Sequence, residues 1–194
     1  MSQENNKWIL RFFLYWIGAN LLGALGMYAL GALLPIPRFM RGVVVFTLFL
    51  LPIGLAQWLV LRRRIPLSLL WILTWPAGVL LAALLMAVIP WAVIGDDESM
   101  LTLITMYVVI GAAIGLPQWL VLRRKVSRSG LWIAGHALAM GLGMALILVT
   151  GLVNTSDLVS SVALVLVYAT ATASFLTWLL FRPDAAYSRQ VRVT

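Results

Sequence analysis

Gly54-Leu55-Ala56-Gln57-Trp58-Leu59-Val60-Leu61-Arg62-Arg63 returns 61 residues later as Gly115-Leu116-Pro117-Gln118-Trp119-Leu120-Val121-Leu122-Arg123-Arg124, with Ala56 against Pro117 the one difference. A weaker third copy, Ser174-Phe175-Leu176-Thr177-Trp178-Leu179-Leu180-Phe181-Arg182, follows near the end of the chain. Each copy closes an apolar run, and before each lies an earlier run that opens on Trp-Ile: Trp8-Ile9, Trp71-Ile72 and Trp132-Ile133. From that tryptophan to the one in the copy are 50, 48 and 46 residues. A fixed period of this kind is the signature of a repeat architecture. It predicts three tandem two-helix hairpins, at about 7–64, 66–126 and 130–184, within a single transmembrane domain covering 1–194. Units of two crossings all enter a membrane in the same sense, so any symmetry axis relating them runs along the membrane normal.

The medium follows from composition. Hydrophobic residues make up 63% of the chain and charged residues 10%, whereas a water-soluble domain carries about 25% charged residues. Six apolar runs, at roughly 7–35, 43–61, 66–94, 100–122, 130–153 and 157–181, are each of a length to cross a bilayer core of about 30 Å as a helix. The runs are continuous and about twice the length of a barrel strand, which excludes a β-barrel reading. The expected fold is therefore all-α and integral to the membrane, with six transmembrane helices. The first run is too long for a signal peptide's apolar core and lacks a small-x-small cleavage site, so it reads as a retained helix.

Charge orients the bundle. If the runs alternate in direction, twelve of the fourteen basic residues fall on one side, and Arg38 and Arg41 fall opposite. Four of the six acids, Asp96, Asp97, Glu98 and Asp157, accompany that pair. The positive-inside rule then places both termini in the cytoplasm. The net charge of +8 is thereby explained by topology, and nucleic acid is not expected as a partner.

Tandem Gly-x-x-Gln-Trp-Leu-Val-Leu-Arg, followed by Val126-Ser127-Arg128-Ser129-Gly130-Leu131-Trp132, resembles a group of uncharacterised bacterial polytopic membrane proteins, often met in phototrophs. The resemblance covers most of the chain. It implies a fold and a setting, and it brings no activity with it.

The candidate functional residues are few. Gln57, Gln118 and Thr177 occupy matching positions about 7 Å below the basic cluster, by 1.5 Å per residue, and can bond one another or line a small polar chamber on a common axis. Asn20, isolated within the first run, is expected to bond a neighbouring helix. Gly111 with Gly115, and Gly135 with Ala139 and Gly143, provide small surfaces for close helix packing. Ser160, Ala163, Val167, Thr170, Ser174 and Thr177 extend that pattern along the last run. Pro52, Pro76, Pro90 and Pro117 are expected to kink helices or mark their ends. Arg62, Arg63, Arg64, Arg123, Arg124, Lys125 and Arg128 either anchor topology or contact anionic lipid or an acidic partner surface. His136 is the one histidine. It is a structural residue in the plainer reading, and a ligand for a pigment metal or a quinone in the sharper one.

Reactive chemistry has little to stand on. The chain lacks cysteine, which removes disulfides, thiolate metal sites and thiol nucleophiles. No nucleotide-binding, zinc-hydrolase or serine-hydrolase motif occurs. Every Asp, Glu, Lys and Arg falls at an end of a run or between runs, unlike the intramembrane ionisable groups of ion-coupled transporters. Asp96-Asp97-Glu98 reads as a solvated turn, and no metal site is expected. The sequence thus points to a non-enzymatic accessory or scaffold subunit of a larger membrane complex, with lipids and other membrane subunits as partners. The alternatives are a small-molecule carrier or substrate-binding component and, less favoured, a pigment- or quinone-binding subunit.

Overall fold

The computed structural model describes residues 3–33, 46–88, 99–152 and 157–180. Arg38, Arg41, Pro90, Asp96, Asp97, Glu98, Asn154 and the segment from Phe181 onward, with Arg182, Arg189 and Arg192, lie outside the described residues. Within them the chain forms six α-helices and no strand: α1 Gln3–Leu33, α2 Phe46–Leu61, α3 Leu70–Val88, α4 Met100–Leu122, α5 Leu131–Val149 and α6 Asp157–Leu180. Five of these, all but α2, are long and apolar enough to cross a membrane. The 16 residues of α2 would cover about 24 Å at 1.5 Å per residue.

Each helix packs on its neighbours in the chain, and α6 returns to pack on α1, so the helices close into a ring. The contacts between α1 and α2 pair Asn20 with Gln57 and Gly23 with Ile53. Those between α4 and α5 pair Gln118 with Trp132 and Val108 with Gly141. In both cases one number rises as the other falls, so these neighbours run antiparallel. Outward-facing leucines coat the ring: Leu22, Leu69, Leu84, Leu101, Leu138 and Val149 are between 63% and 77% exposed. Water would not tolerate that surface on a monomer, and lipid does.

The two described linkers share one construction. After α2, the backbone N–H groups of Arg64 and Ile65 both donate to Leu61 O, at 2.9 Å each. After α4, those of Lys125 and Val126 donate to Leu122 O, at 2.8 and 2.9 Å. These bonds satisfy carbonyls that a helix end would otherwise leave open. They also turn Ile65 and Val126 inward, where both are buried beside the fully buried Leu61 and Leu122. Each linker then enters the next helix through an indole-bearing residue whose N–H meets a serine carbonyl, Trp71 to Ser68 and Trp132 to Ser129.

Glycine lets the backbones approach. A Cβ on Gly54 would lie 2.5 Å from Ile72 O in α3, and one on Gly115 would lie 3.0 Å from Ile133 Cα in α5. Gly78 in α3 similarly meets the Ile114 backbone of α4, at 2.5 Å. The small residues singled out on α4 and α5 are used inside the chain. Gly111 abuts the His136 carbonyl and Ala137, Gly135 abuts the Phe175 ring, Gly143 abuts Leu164, and Ala139 is buried. Where lipid removes the hydrophobic drive between helices, such close packing is a principal source of association. Pro52, Pro76 and Pro117 sit inside α2, α3 and α4.

These contacts separate two kinds of glycine. Gly111→Ala places a methyl against backbone atoms, 2.9 Å from Ala137 Cα, and is expected to destabilise the protein by about 1–3 kcal/mol, as overpacking does. Gly18→Ala, with nothing within 4 Å of the added carbon, should leave stability unchanged or raised. Reversible unfolding in mixed micelles measures both, and equal effects at the two positions would contradict the packing described.

Candidate functional site

The interior of the ring is lined by polar side chains and indoles that bond across its seams. Between α2 and α3, Trp75 Nε1 donates to Gln57 Oε1 at 2.9 Å. Between α4 and α5, Trp132 Nε1 donates to Gln118 Oε1 at 2.8 Å. Between α6 and α1, Trp16 Nε1 donates to Thr172 Oγ1 at 3.1 Å. All six side chains are buried. Three seams are therefore joined by the same device, an indole N–H from one helix and a side-chain oxygen from the other.

Further bonds extend the first of these into a chain. Gln57 Nε2 donates to Asn20 Oδ1 at 2.9 Å, and Asn20 Nδ2 donates to Trp16 O at 2.8 Å. Thr172 accepts the Trp16 indole and passes its own proton to Tyr168 O at 2.8 Å. Tyr168 Oη lies 2.8 Å from His136 Nε2. With the phenol as donor, the imidazole is neutral and carries its proton on Nδ1. The series runs through α3, α2, α1, α6 and α5.

Aromatic rings fill the space these bonds enclose. Trp75 of α3 meets Tyr168 of α6 edge-on at 5.8 Å, and Trp16 of α1 meets Trp132 of α5 at 6.3 Å, both across the ring rather than along its wall. His136 is wedged between Trp132, at 4.4 Å, and Tyr168, at 5.4 Å. Edge-on pairs of this kind contribute about 0.5–1.5 kcal/mol beyond the area they bury.

The residues expected to be functional fall into three groups. Asn20 and Gln57 are brought together. Gln118 and Thr177 are not: Gln118 bonds Trp132, and Thr177 Oγ1 is buried with no partner. The glutamines thus bond tryptophans across seams instead of bonding one another on an axis. Trp71 Nε1, Gln118 Nε2 and His136 Nδ1 are likewise buried without a partner. His136 is fully enclosed, with Nε2 engaged by Tyr168.

Among the described residues, the basic side chains of the two linkers gather at one end. There, Arg62 lies over the Trp58 ring at 4.5 Å, Arg63 over Tyr15 at 5.8 Å, Arg64 over Trp8 at 3.1 Å and Arg123 over Trp119 at 5.7 Å. Such stacking contributes about 0.5–1 kcal/mol at exposed sites and more where water is thinned. It gives the cluster a structural task that charge counting alone did not reveal. Trp16, Trp75, Tyr168 and Thr172 were also missed. Trp16 and Trp75 lie deep in their apolar runs, away from the interfacial belt where tryptophan is expected, and that displacement was the available signal.

Among the described residues no group of three His, Cys, Asp or Glu is gathered in a way that could hold a metal. The chain matches no protein-family model, none of the curated proteins compared with it and no solved structure.

Tyr168→Phe removes one hydroxyl, keeps the ring against Trp75 and leaves both imidazole nitrogens of His136 unpaired. It is expected to destabilise the protein by about 1–3 kcal/mol. In a His136→Leu background the same change should cost clearly less. A double-mutant cycle of unfolding free energies checks this, and a coupling indistinguishable from zero would remove the pair from the stabilising network.

Proposed function

We propose that this chain is a non-enzymatic accessory subunit that docks beside another membrane protein through the outer face of α1 and α6. Its full architecture in this reading is six crossings in three tandem hairpins, with both termini in the cytoplasm of a bacterial cell and the arginine-bearing linkers on that same side. The recurrence of the Gly54–Ile72 contact as Gly115–Ile133, and of an indole bond at three alternate seams, supports the hairpin units. The distribution of basic residues supports the orientation.

The observation that carries the docking surface is an asymmetry of the outer wall. Outward positions on α3, α4 and α5 are mainly leucine, among them Leu73, Leu80, Leu84, Leu116, Leu120, Leu138, Leu142 and Leu146, interspersed with Ala77, Ala83, Ala87 and Ala134. The exposed hydroxyls there, Thr105 and Thr150, lie within two turns of a helix end. On α6, by contrast, Thr170 is exposed nearer mid-span, on one stripe with Leu166, Ser174 and Trp178. On adjacent α1, Gly18 and Gly26 flank the exposed Leu22, and a Cβ on either glycine would meet nothing within 4 Å. Glycines with open space beside them and an exposed hydroxyl nearer mid-span gain nothing from lipid tails, and they are the usual material of helix–helix contacts. A transmembrane helix of a partner subunit fits that face.

The filled interior weighs against the carrier reading, since ring pairs occupy the space a transported molecule would need. The engagement of His136 Nε2 by Tyr168 weighs against pigment ligation in the same way.

The absence of cysteine makes the test direct. Ser174→Cys and Leu138→Cys, each alone, carry a photo-activated cross-linker at native expression level. The expected result is a discrete adduct with a second membrane protein from position 174 and none from position 138. Adducts of equal yield from both positions, or migration as a bare monomer with none from either, would overturn the proposal.

A further inference from the structure

At the basic end of the bundle, a groove of about 640 Å³ opens between the linker into α3 and the last turn of α4. Its polar rim is Arg123, Arg124 and Lys125, with Ser68 facing them, and its apolar part includes Leu70 and Leu120. That volume falls within the range of sites for small organic ligands, about 300–1,000 Å³. None of its lining residues is acidic.

We infer that this groove binds the headgroup of an anionic phospholipid, with the phosphate at Arg123, Arg124 and Lys125 and an acyl chain running down past Leu70 and Leu120. Three observations favour a lipid over a soluble anion. The site lies where an apolar helix gives way to basic residues, the depth at which headgroups sit. Leu70 and Leu120 are 61% and 46% exposed, so the apolar part is continuous with the outer wall. Most of the lining is hydrocarbon, which a free phosphate would gain nothing from touching.

The charge of the groove suits an anionic headgroup. Arg123 lies over the Trp119 ring as Arg62, Arg63 and Arg64 lie over Trp58, Tyr15 and Trp8, and such stacking leaves the positive charge in place. In the groove, three cations outweigh the negative end of α4, and the adjacent N-terminal turn of α3 adds a favourable dipole. A basic residue near an anionic leaflet contributes about 1 kcal/mol, or roughly five-fold in affinity. This site stands or falls independently of the α1–α6 face.

The experiment titrates the purified full-length protein in neutral detergent with phosphatidylglycerol, and separately with phosphatidylcholine and inorganic phosphate, reading lipid retention by native mass spectrometry. Arg124→Gln with Lys125→Gln is compared with Arg62→Gln and Arg63→Gln, which removes the same charge elsewhere. The groove variant is expected to lose phosphatidylglycerol affinity by about ten- to thirty-fold, and the other pair by less than about three-fold. Ser68→Trp, which fills the groove without changing charge, should also weaken retention, and it keeps the inference testable if the charge variant fails to fold. Equal losses in the two charge pairs would reduce the effect to diffuse attraction and overturn the site. Competition by millimolar phosphate, or equal retention of phosphatidylcholine, would overturn it as well.

Discussion

Inside a bilayer a polar group cannot turn to water, and a buried donor that finds no acceptor within the protein carries an energetic cost. Three tryptophans avoid that cost across seams of this bundle: Trp75 with Gln57, Trp132 with Gln118 and Trp16 with Thr172. An interhelical hydrogen bond in a membrane protein contributes only about 0.6 kcal/mol on average, so their effect is less one of strength than of selection. Each bond fixes which face of a helix turns inward and at what height it meets its neighbour. Slippage by one turn would leave an indole and an amide unpaired in a dry interior, at about 1–3 kcal/mol for each lost bond.

The glycines act within the frame those bonds set. Gly54 and Gly115 lie three residues before Gln57 and Gln118, nearly one turn away on the same face, so close approach and hydrogen bond occur side by side. The seam between α3 and α4 relies on Gly78 against Ile114, and among the bonds described no side-chain bond crosses it. Where α6 meets α1 the balance is reversed, and the Trp16–Thr172 bond joins the two ends of the ring. Closure of the ring depends on that bond more than the other seams depend on theirs, since no short linker holds α1 to α6.

Much of this was legible in the sequence. Apolar run length located the helices within a few residues of their observed bounds, and the repeated Gly-x-x-Gln-Trp segment singled out Gly115, Gln57 and Gln118. What remained hidden was the choice of partner. Gln118 bonds Trp132, 14 residues on, but Gln57 bonds Trp75, 18 residues on. The residue matching Trp132 at the first seam is Trp71, whose Nε1 is unpaired, and the residue matching Trp75 at the second seam is His136. Two indoles one helical turn apart are equal candidates in a sequence, and packing against Tyr168 decides between them. The stacking of Arg63 and Arg64 on rings was hidden for a related reason: Tyr15 and Trp8 belong to a different helix, and composition does not disclose which helices touch.

The indole protons themselves offer the most direct test of this account. With the tryptophan side chains labelled with nitrogen-15, the Nε1–H signals of Trp16, Trp75 and Trp132 should lie downfield of that of Trp71, which is equally enclosed but unpaired. Thr172→Val should then move the Trp16 signal upfield and leave the other two in place. Gln57→Leu should do the same for Trp75, and Gln118→Leu for Trp132. A one-to-one pattern is the predicted result; indole signals indifferent to loss of their assigned oxygens would contradict the claim that these three bonds set the arrangement of the helices.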